Sequence, residues 1–220
     1  MNVEALERAC LEAWPARTRV QRDGWEFCAT DDRSGRANAV WPLNWSGGDV
    51  QRAIADARAW CAGEAISPTF KLADGATAPE GLPAALAAAG FTPRTETLVM
   101  TRTTEAATPT FGVELHDEPS DDIWSPLNES APDPADAAER RDIVNALTHW
   151  GAEEGAREAY LQVERANAAA IRLYENEGFS LAYSAPHQNR NAIPAFLTVP
   201  DRAIASLRKL SLWKLLLRRL

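Results

Sequence analysis

Two stretches of this chain follow one plan. Residues Trp60 to Phe91 and Trp150 to Phe179 each read as a helix end marked by Trp, a short strand, a second helix, a Gly-Phe pair and another strand. Trp60 stands as far from Phe70 as Trp150 does from Tyr160. Gly90-Phe91 then answers Gly178-Phe179 at nearly the same distance. One supersecondary unit occurring twice implies two pseudo-symmetric lobes.

At 220 residues the chain can bury a sizeable core, as one domain or as two small lobes. Its 45% hydrophobic and 25% charged residues are those of an ordinary soluble globular protein. A net charge of -8 argues against general nucleic-acid binding. No apolar run approaches membrane-spanning length. The acidic, helical start at Met1 to Glu7 predicts no secretory signal. Cys10, Cys28 and Cys61 are odd in number and fit no metal spacing, so they read as reduced thiols of a cytoplasmic protein. His116, His149 and His187 are too scattered to ligate a metal together, and no metal site is expected.

Hydrophobic periodicity predicts a helix through Val3, Leu6, Cys10 and Trp14, with Asn2 as its cap. Strands follow at Trp25 to Ala29 and Ala37 to Trp41, with turn chemistry between them. A helical stripe runs through Val50, Ile54, Ala57 and Cys61. The Asn44-Trp45-Ser46-Gly47-Gly48-Asp49 segment before it reads as a loop with Ser46 or Asp49 capping the helix. Thr69 to Leu72 is a strand, Pro79-Glu80 opens a helix ended by Gly90, and Thr95 to Arg102 is a strand. Thr103 to Thr110 reads as a linker. Beyond it come a strand at Phe111 to Leu115 and a polar stretch, His116 to Ala131, whose Asp117, Glu118, Asp121 and Asp122 read as solvated charge. Asp133-Pro134 opens a helix that runs to Trp150. A strand at Ala159 to Val163, a helix capped by Asn167 and ended by Gly178, and a strand at Phe179 to Ser184 complete the order.

The segment Tyr160-Leu161-Gln162-Val163, Asn167, Ala170, Leu173-Tyr174-Glu175, Gly178-Phe179 resembles the C-terminal half of the Gcn5-related N-acetyltransferase superfamily. It looks like bacterial members built from two such lobes, the first of them degenerate. Ala39-Val40-Trp41-Pro42-Leu43 and Leu98-Val99-Met100-Thr101 fit the first lobe. The resemblance implies an α+β fold: a mixed sheet flanked by helices, in two pseudo-repeated lobes at 1–102 and 111–190, the second lacking its early strands. It implies acetyl-CoA as cosubstrate and an amine acceptor, on a small molecule or a protein. It implies Tyr174 as the catalytic acid for the departing thiolate, and Gln162, Val163, Asn167 and Ala170 along the cofactor.

One part of the family pattern is missing. A Gly-rich turn should open the helix that begins at Pro134, because its backbone N–H groups would hold the diphosphate. Glu129-Ser130-Ala131-Pro132-Asp133 stands there instead, with two carboxylates and no glycine. Two readings follow: an acetyl-CoA-dependent N-acetyltransferase, or a catalytically degenerate relative serving as a binding or regulatory module. The tail, 191–220, is a separate object. Arg202, Arg208, Lys209, Lys214, Arg218 and Arg219 stand there against Asp201. Leu210, Trp213, Leu217 and Leu220 would share one helical face, which suits docking on a membrane surface or a protein partner.

Overall fold

The structure, a computed structural model, describes residues 2–13, 15–30, 35, 37–104, 134–189 and 216–219. Residues 105–110 of the expected linker, the strand at Phe111 to Leu115, the acidic loop, His116 and residues 129–133 lie outside the described residues, and Thr103 closes a strand. The chain divides into two compact units, Met1–Leu98 with Tyr183–Phe196, and Val99–Ala182 with Leu197–Leu220.

The first unit contains α1 (Val3–Ala13), β1 (Thr18–Arg22), β2 (Trp25–Ala29), β3 (Ala39–Trp41), α2 (Val50–Gly63), β4 (Thr69–Lys71) and α3 (Leu82–Ala88). Two further strands, β5 (Thr92–Thr103) and β7 (Ser180–Asn189), pass from one unit into the other. Strand order here is β1-β2-β3-β4-β7. β3 and β4 pair in parallel at Val40 and Phe70, and the other pairs are antiparallel, so the sheet is mixed.

β1 is an element the sequence reading passed over. It joins β2 through Asp23-Gly24, whose φ angles of 48° and 87° suit the two-residue turn that matches strand twist. Gly24 is required twice over: a Cβ there would stand 2.8 Å from the Asn44 backbone. Trp25, Phe27, Val40 and Phe70 pack with Ile54, Ala57 and Cys61 of α2, and with Leu82 and Leu86 of α3. Each large side chain so buried contributes roughly 1.5–3 kcal/mol.

α1 buries Leu6, Glu7, Cys10 and Leu11. Glu7 takes a hydrogen bond from Tyr183 Oη at 2.5 Å and an ion pair from Lys71. Lys71 Nζ also lies 4.0 Å from the centroid of the Trp41 ring. Neither charged side chain reaches solvent. At the rim, hydrogen bonds to Glu26 and Glu12 hold the Arg19 guanidinium above its ordinary pKa.

The second unit contains α4 (Pro134–Glu153), β6 (Ala156–Glu164), α5 (Ala168–Asn176) and β8 (Leu216–Arg219), with its parts of β5 and β7. Strand order here is β7-β5-β6-β8. Arg102 of β5 ties the two helices together. Its guanidinium donates to the Glu177 carbonyl and, at 3.3 Å, to Asn145 Oδ1 of α4. Asn145 Nδ2 in turn donates to the Glu177 carboxylate at 2.8 Å. The expected tail helix through Leu217 is corrected by β8. Residues 216–219 are extended and pair antiparallel with β6, because β-strand edges present ladder groups that an extended segment satisfies.

The α+β expectation holds, and so does the repeat. Glu64 N donates to Trp60 O at 3.0 Å, and Glu154 N to Trp150 O at 3.0 Å. Ala65 and Gly155 follow, both at positive φ. Phe91 N donates to Leu86 O at 3.0 Å, and Phe179 N to Tyr174 O at 2.9 Å. Gly90 and Gly178 have φ of 83° and 82°, the left-handed helix ending that glycine permits.

Candidate active site

The second copy of the repeat carries the residues of interest. β6 ends at Glu164, and Asn167 N returns to Glu164 O at 2.8 Å, turning the chain into α5. Asn167 Oδ1 accepts from Ala170 N at 3.0 Å, which satisfies a free donor at the helix start. The structure therefore joins Asn167 and Ala170 directly. Tyr174 lies a further four residues along, so Asn167, Ala170 and Tyr174 share one stripe of the helix.

Tyr174 is the one buried residue of α5. Its ring meets Phe179 edge-on at 6.1 Å. Phe179 in turn lies under the Arg102 guanidinium, 5.0 Å from its centroid. The C-terminal joint thus fixes the tyrosine from below, through the Phe179 N–H bond to its own carbonyl and through ring contact.

Gln162 and Val163 are both buried, but strand alternation points them to opposite faces. Gln162 shares the face of Tyr160, and Val163 that of Leu161 and Ala159. One face cannot present both side chains to one ligand.

The first lobe shows what a closed counterpart looks like. Asp49 caps α2, its carboxylate accepting from Gln51 N at 2.9 Å and Arg52 N at 3.2 Å. Trp45 N donates to Asn44 Oδ1 at 2.8 Å, and Ser46 N to Asp23 O at 2.9 Å. Ala78 N donates to Pro42 O at 2.8 Å, closing the loops after β3 and β4 onto each other. These amides are spent within the protein, and a carboxylate sits at the helix start. A diphosphate does not fit here. The cap expected of Asp49 is present.

The counterpart of this helix start in the second lobe, residues 129–133 before α4, lies outside the described residues. Asn167 is exposed and uses its oxygen for the cap, so its Nδ2 remains a donor facing solvent. Asn167 and the buried Tyr174 stand two helical turns apart on this stripe, about 10 Å along the axis.

The sequence profile of the family described as "Probable histone acetyltransferase Rv0428c C-terminal" matches residues 1–139 and 129–192. The chain belongs to this family. It is also similar in structure to a GCN5-related N-acetyltransferase from Kribbella flavida, with a TM-score of 0.58 at 16% identity, over 87% of this chain and 96% of that one. The fold is thus that of the Gcn5-related N-acetyltransferase superfamily. No curated protein sequence matches.

Sequence reasoning missed two constellations. Glu7, Lys71, Tyr183 and Trp41 meet in the first unit, and a signal was present: Glu7 falls on the apolar stripe of α1, and Lys71 stands between Phe70 and Leu72. The Arg102, Asn145 and Glu177 network had no local signal, since its members are far apart in sequence. Among the described residues no group of side chains is arranged to hold a metal, and no helix is long and apolar enough to cross a membrane.

Proposed function

We propose that the chain is an acetyl-CoA-dependent N-acetyltransferase whose chemistry belongs to the second lobe. The observation that carries this reading is the stripe of Asn167, Ala170 and Tyr174 on α5, fixed by a cap at one end and by the Phe179 joint at the other. Bound acetyl-CoA would supply an acetyl group on a thioester. Asn167 Nδ2 would bind the pantetheine arm, with Ala170 leaving room for it because its side chain is a single methyl. Gln162, on the face of Tyr160, would line the same side, and Val163 would support the strand from the other. Tyr174 would hold a proton at its hydroxyl for the sulfur that departs as the acetyl–nitrogen bond forms.

The acceptor is an amine, on a small molecule or a protein. The acidic charge of the body favours a cationic acceptor approaching from solution.

Titration calorimetry with acetyl-CoA tests the reading. Micromolar affinity supports it; no heat and no thermal shift at millimolar cofactor would leave the non-catalytic binding module. That second reading is favoured by the glycine-free, acidic segment before α4. Given binding, Tyr174→Phe should lower kcat about 10²-fold or more while leaving acetyl-CoA affinity within a factor of three. An unchanged kcat removes Tyr174 from the reaction.

A further inference from the structure

β6 is a nine-residue strand of the second unit, and on its outer side it meets β8. The register sets Arg219 opposite Ala156, Arg218 opposite Glu158, Leu217 opposite Ala159 and Leu216 opposite Tyr160, with an irregularity between Ala156 and Glu158. Among the described residues, pairing along this edge stops at Tyr160. The segment that fills the edge is the far end of the chain, separated from β7 by residues 190–215. Nothing local drives the pairing, because no tight turn connects the two strands. The edge itself must therefore select its occupant.

We propose that the outer edge of β6 is a strand-docking site, and that the C-terminal residues Leu216–Arg219 are its intramolecular ligand. An unpaired edge presents a row of N–H and C=O groups, and an added strand satisfies them whatever its sequence. Side-chain chemistry then sets the preference. The register sets apolar positions opposite Tyr160 and Ala159 and basic ones opposite Glu158 and Ala156, so an extended peptide with apolar residues followed by basic ones fits this edge. Leu216-Leu217-Arg218-Arg219 has that order. The basic charge of Arg218 and Arg219 is on this view an address for the chain's own sheet. The inference does not depend on acetyl-CoA binding.

Directly opposed residues of antiparallel strands have Cα atoms about 4.5–5.5 Å apart, within the span a disulfide bridges. Full-length protein carrying Glu158→Cys and Arg218→Cys should therefore oxidise to a cross-linked monomer of altered mobility on a non-reducing gel. The natural cysteines are buried and free, so they do not compete. A cross-linked dimer would give the edge to a second copy's tail and overturn the intramolecular assignment. Absence of any cross-link would overturn the docking site. Hydrogen exchange on the unaltered full chain gives an independent answer. Amides of 216–219 should exchange at least tenfold more slowly than in a free peptide, and exchange at the free-peptide rate refutes the proposal. Adding Leu217→Pro with Arg218→Pro removes one inward N–H whichever way the ladder faces. Exchange at Ala156 to Tyr160 should then quicken roughly fivefold, the worth of one ladder hydrogen bond. Amides of β2 and β4 should be unchanged; no effect at 156–160 would again sink the idea.

Discussion

Lys71→Met tests how the first unit is held together. The ammonium of Lys71 is wholly buried, paired with an equally buried Glu7 carboxylate and seated over the Trp41 ring. Removing the cation leaves that carboxylate with the hydrogen bond from Tyr183 Oη. A buried ion pair broken from one side costs about 3–5 kcal/mol, because the remaining charge keeps its desolvation penalty without its partner. Against a typical stability of about 5–15 kcal/mol, that removes a fifth or more. Glu7→Met combined with Lys71→Met deletes both charges at similar volume. It should recover most of the loss, since an apolar replacement of a whole buried pair is commonly neutral or stabilising. Tyr183→Phe, which takes away one hydrogen bond to a charged group, should cost about 1.5–3 kcal/mol. Urea unfolding followed by tryptophan fluorescence reads all three, because Trp25 and Trp41 are buried in this unit. The reasoning is refuted if Lys71→Met lies within 1 kcal/mol of the parent, or if the double variant is as unstable as the single one.

Three further predictions follow from single positions. Burial pushes the Cys28 thiol up to about 11 from 9.0, so the fold holds its proton more tightly than the unfolded chain does. That contribution is complete below pH 9 and is lost as pH rises towards 11. Relative to Cys28→Ala, the parent should lose up to about 3 kcal/mol across this range; parallel pH profiles for the two would contradict it. Gly24→Ala should cost about 1–3 kcal/mol through its positive φ and its approach to Asn44, whereas Gly48→Ala, with nothing within 4 Å, should cost less than about 0.5 kcal/mol. Equal melting temperatures for these two variants would count against the hairpin geometry. Asn167→Asp keeps the capping oxygen but replaces the amide donor with charge. It should leave stability within about 0.5 kcal/mol and weaken acetyl-CoA binding at least tenfold, and unchanged affinity would confine Asn167 to the cap.

The fold was legible where the chain's own periodicity decides it. The stripe Ile54, Ala57 and Cys61, the Gly90 and Gly178 endings and the Asn167 cap are local features, and each stands where residue spacing put it. β1 was passed over although Asp23-Gly24 is a strong hairpin signal, because Thr18 to Arg22 is half exposed and polar at most positions. The tail departs from its helical pattern at Leu216–Arg219 for a physical reason. Helical periodicity at Leu217 is a local preference, and the edge of β6 outweighs it there by supplying a ladder from outside the segment. The stripe on α5 could be read from sequence, but the Glu7–Lys71 pair could not be assembled from it. Its members are 64 residues apart and only the fold brings them together.

The repeat itself separates scaffold from chemistry. Helix endings that match bond for bond across the two copies are a demand of the backbone, met by Gly90 and Gly178, and by Ala65 and Gly155 at positive φ. Side chains at matched positions are free to differ, and they do so in one direction. Phe70 answers Tyr160, Leu86 answers Tyr174, and Pro79 stands where Asn167 does. In the first copy Leu82 N bonds the backbone carbonyl of Pro79 at 3.1 Å, while in the second Ala170 N bonds the side chain of Asn167. At all three positions the first copy is apolar or lacks a donor, and the second carries a group that can hold a proton or a ligand. Packing alone does not require this difference, because the first copy shows that the same joint closes with Phe, Leu and Pro. Grafting the first copy's residues onto the second, as Tyr160→Phe with Tyr174→Leu, should therefore leave the fold cooperative and abolish transfer. If that variant fails to fold, the two tyrosines are part of the scaffold, and the assignment of the site to the second lobe loses its strongest support.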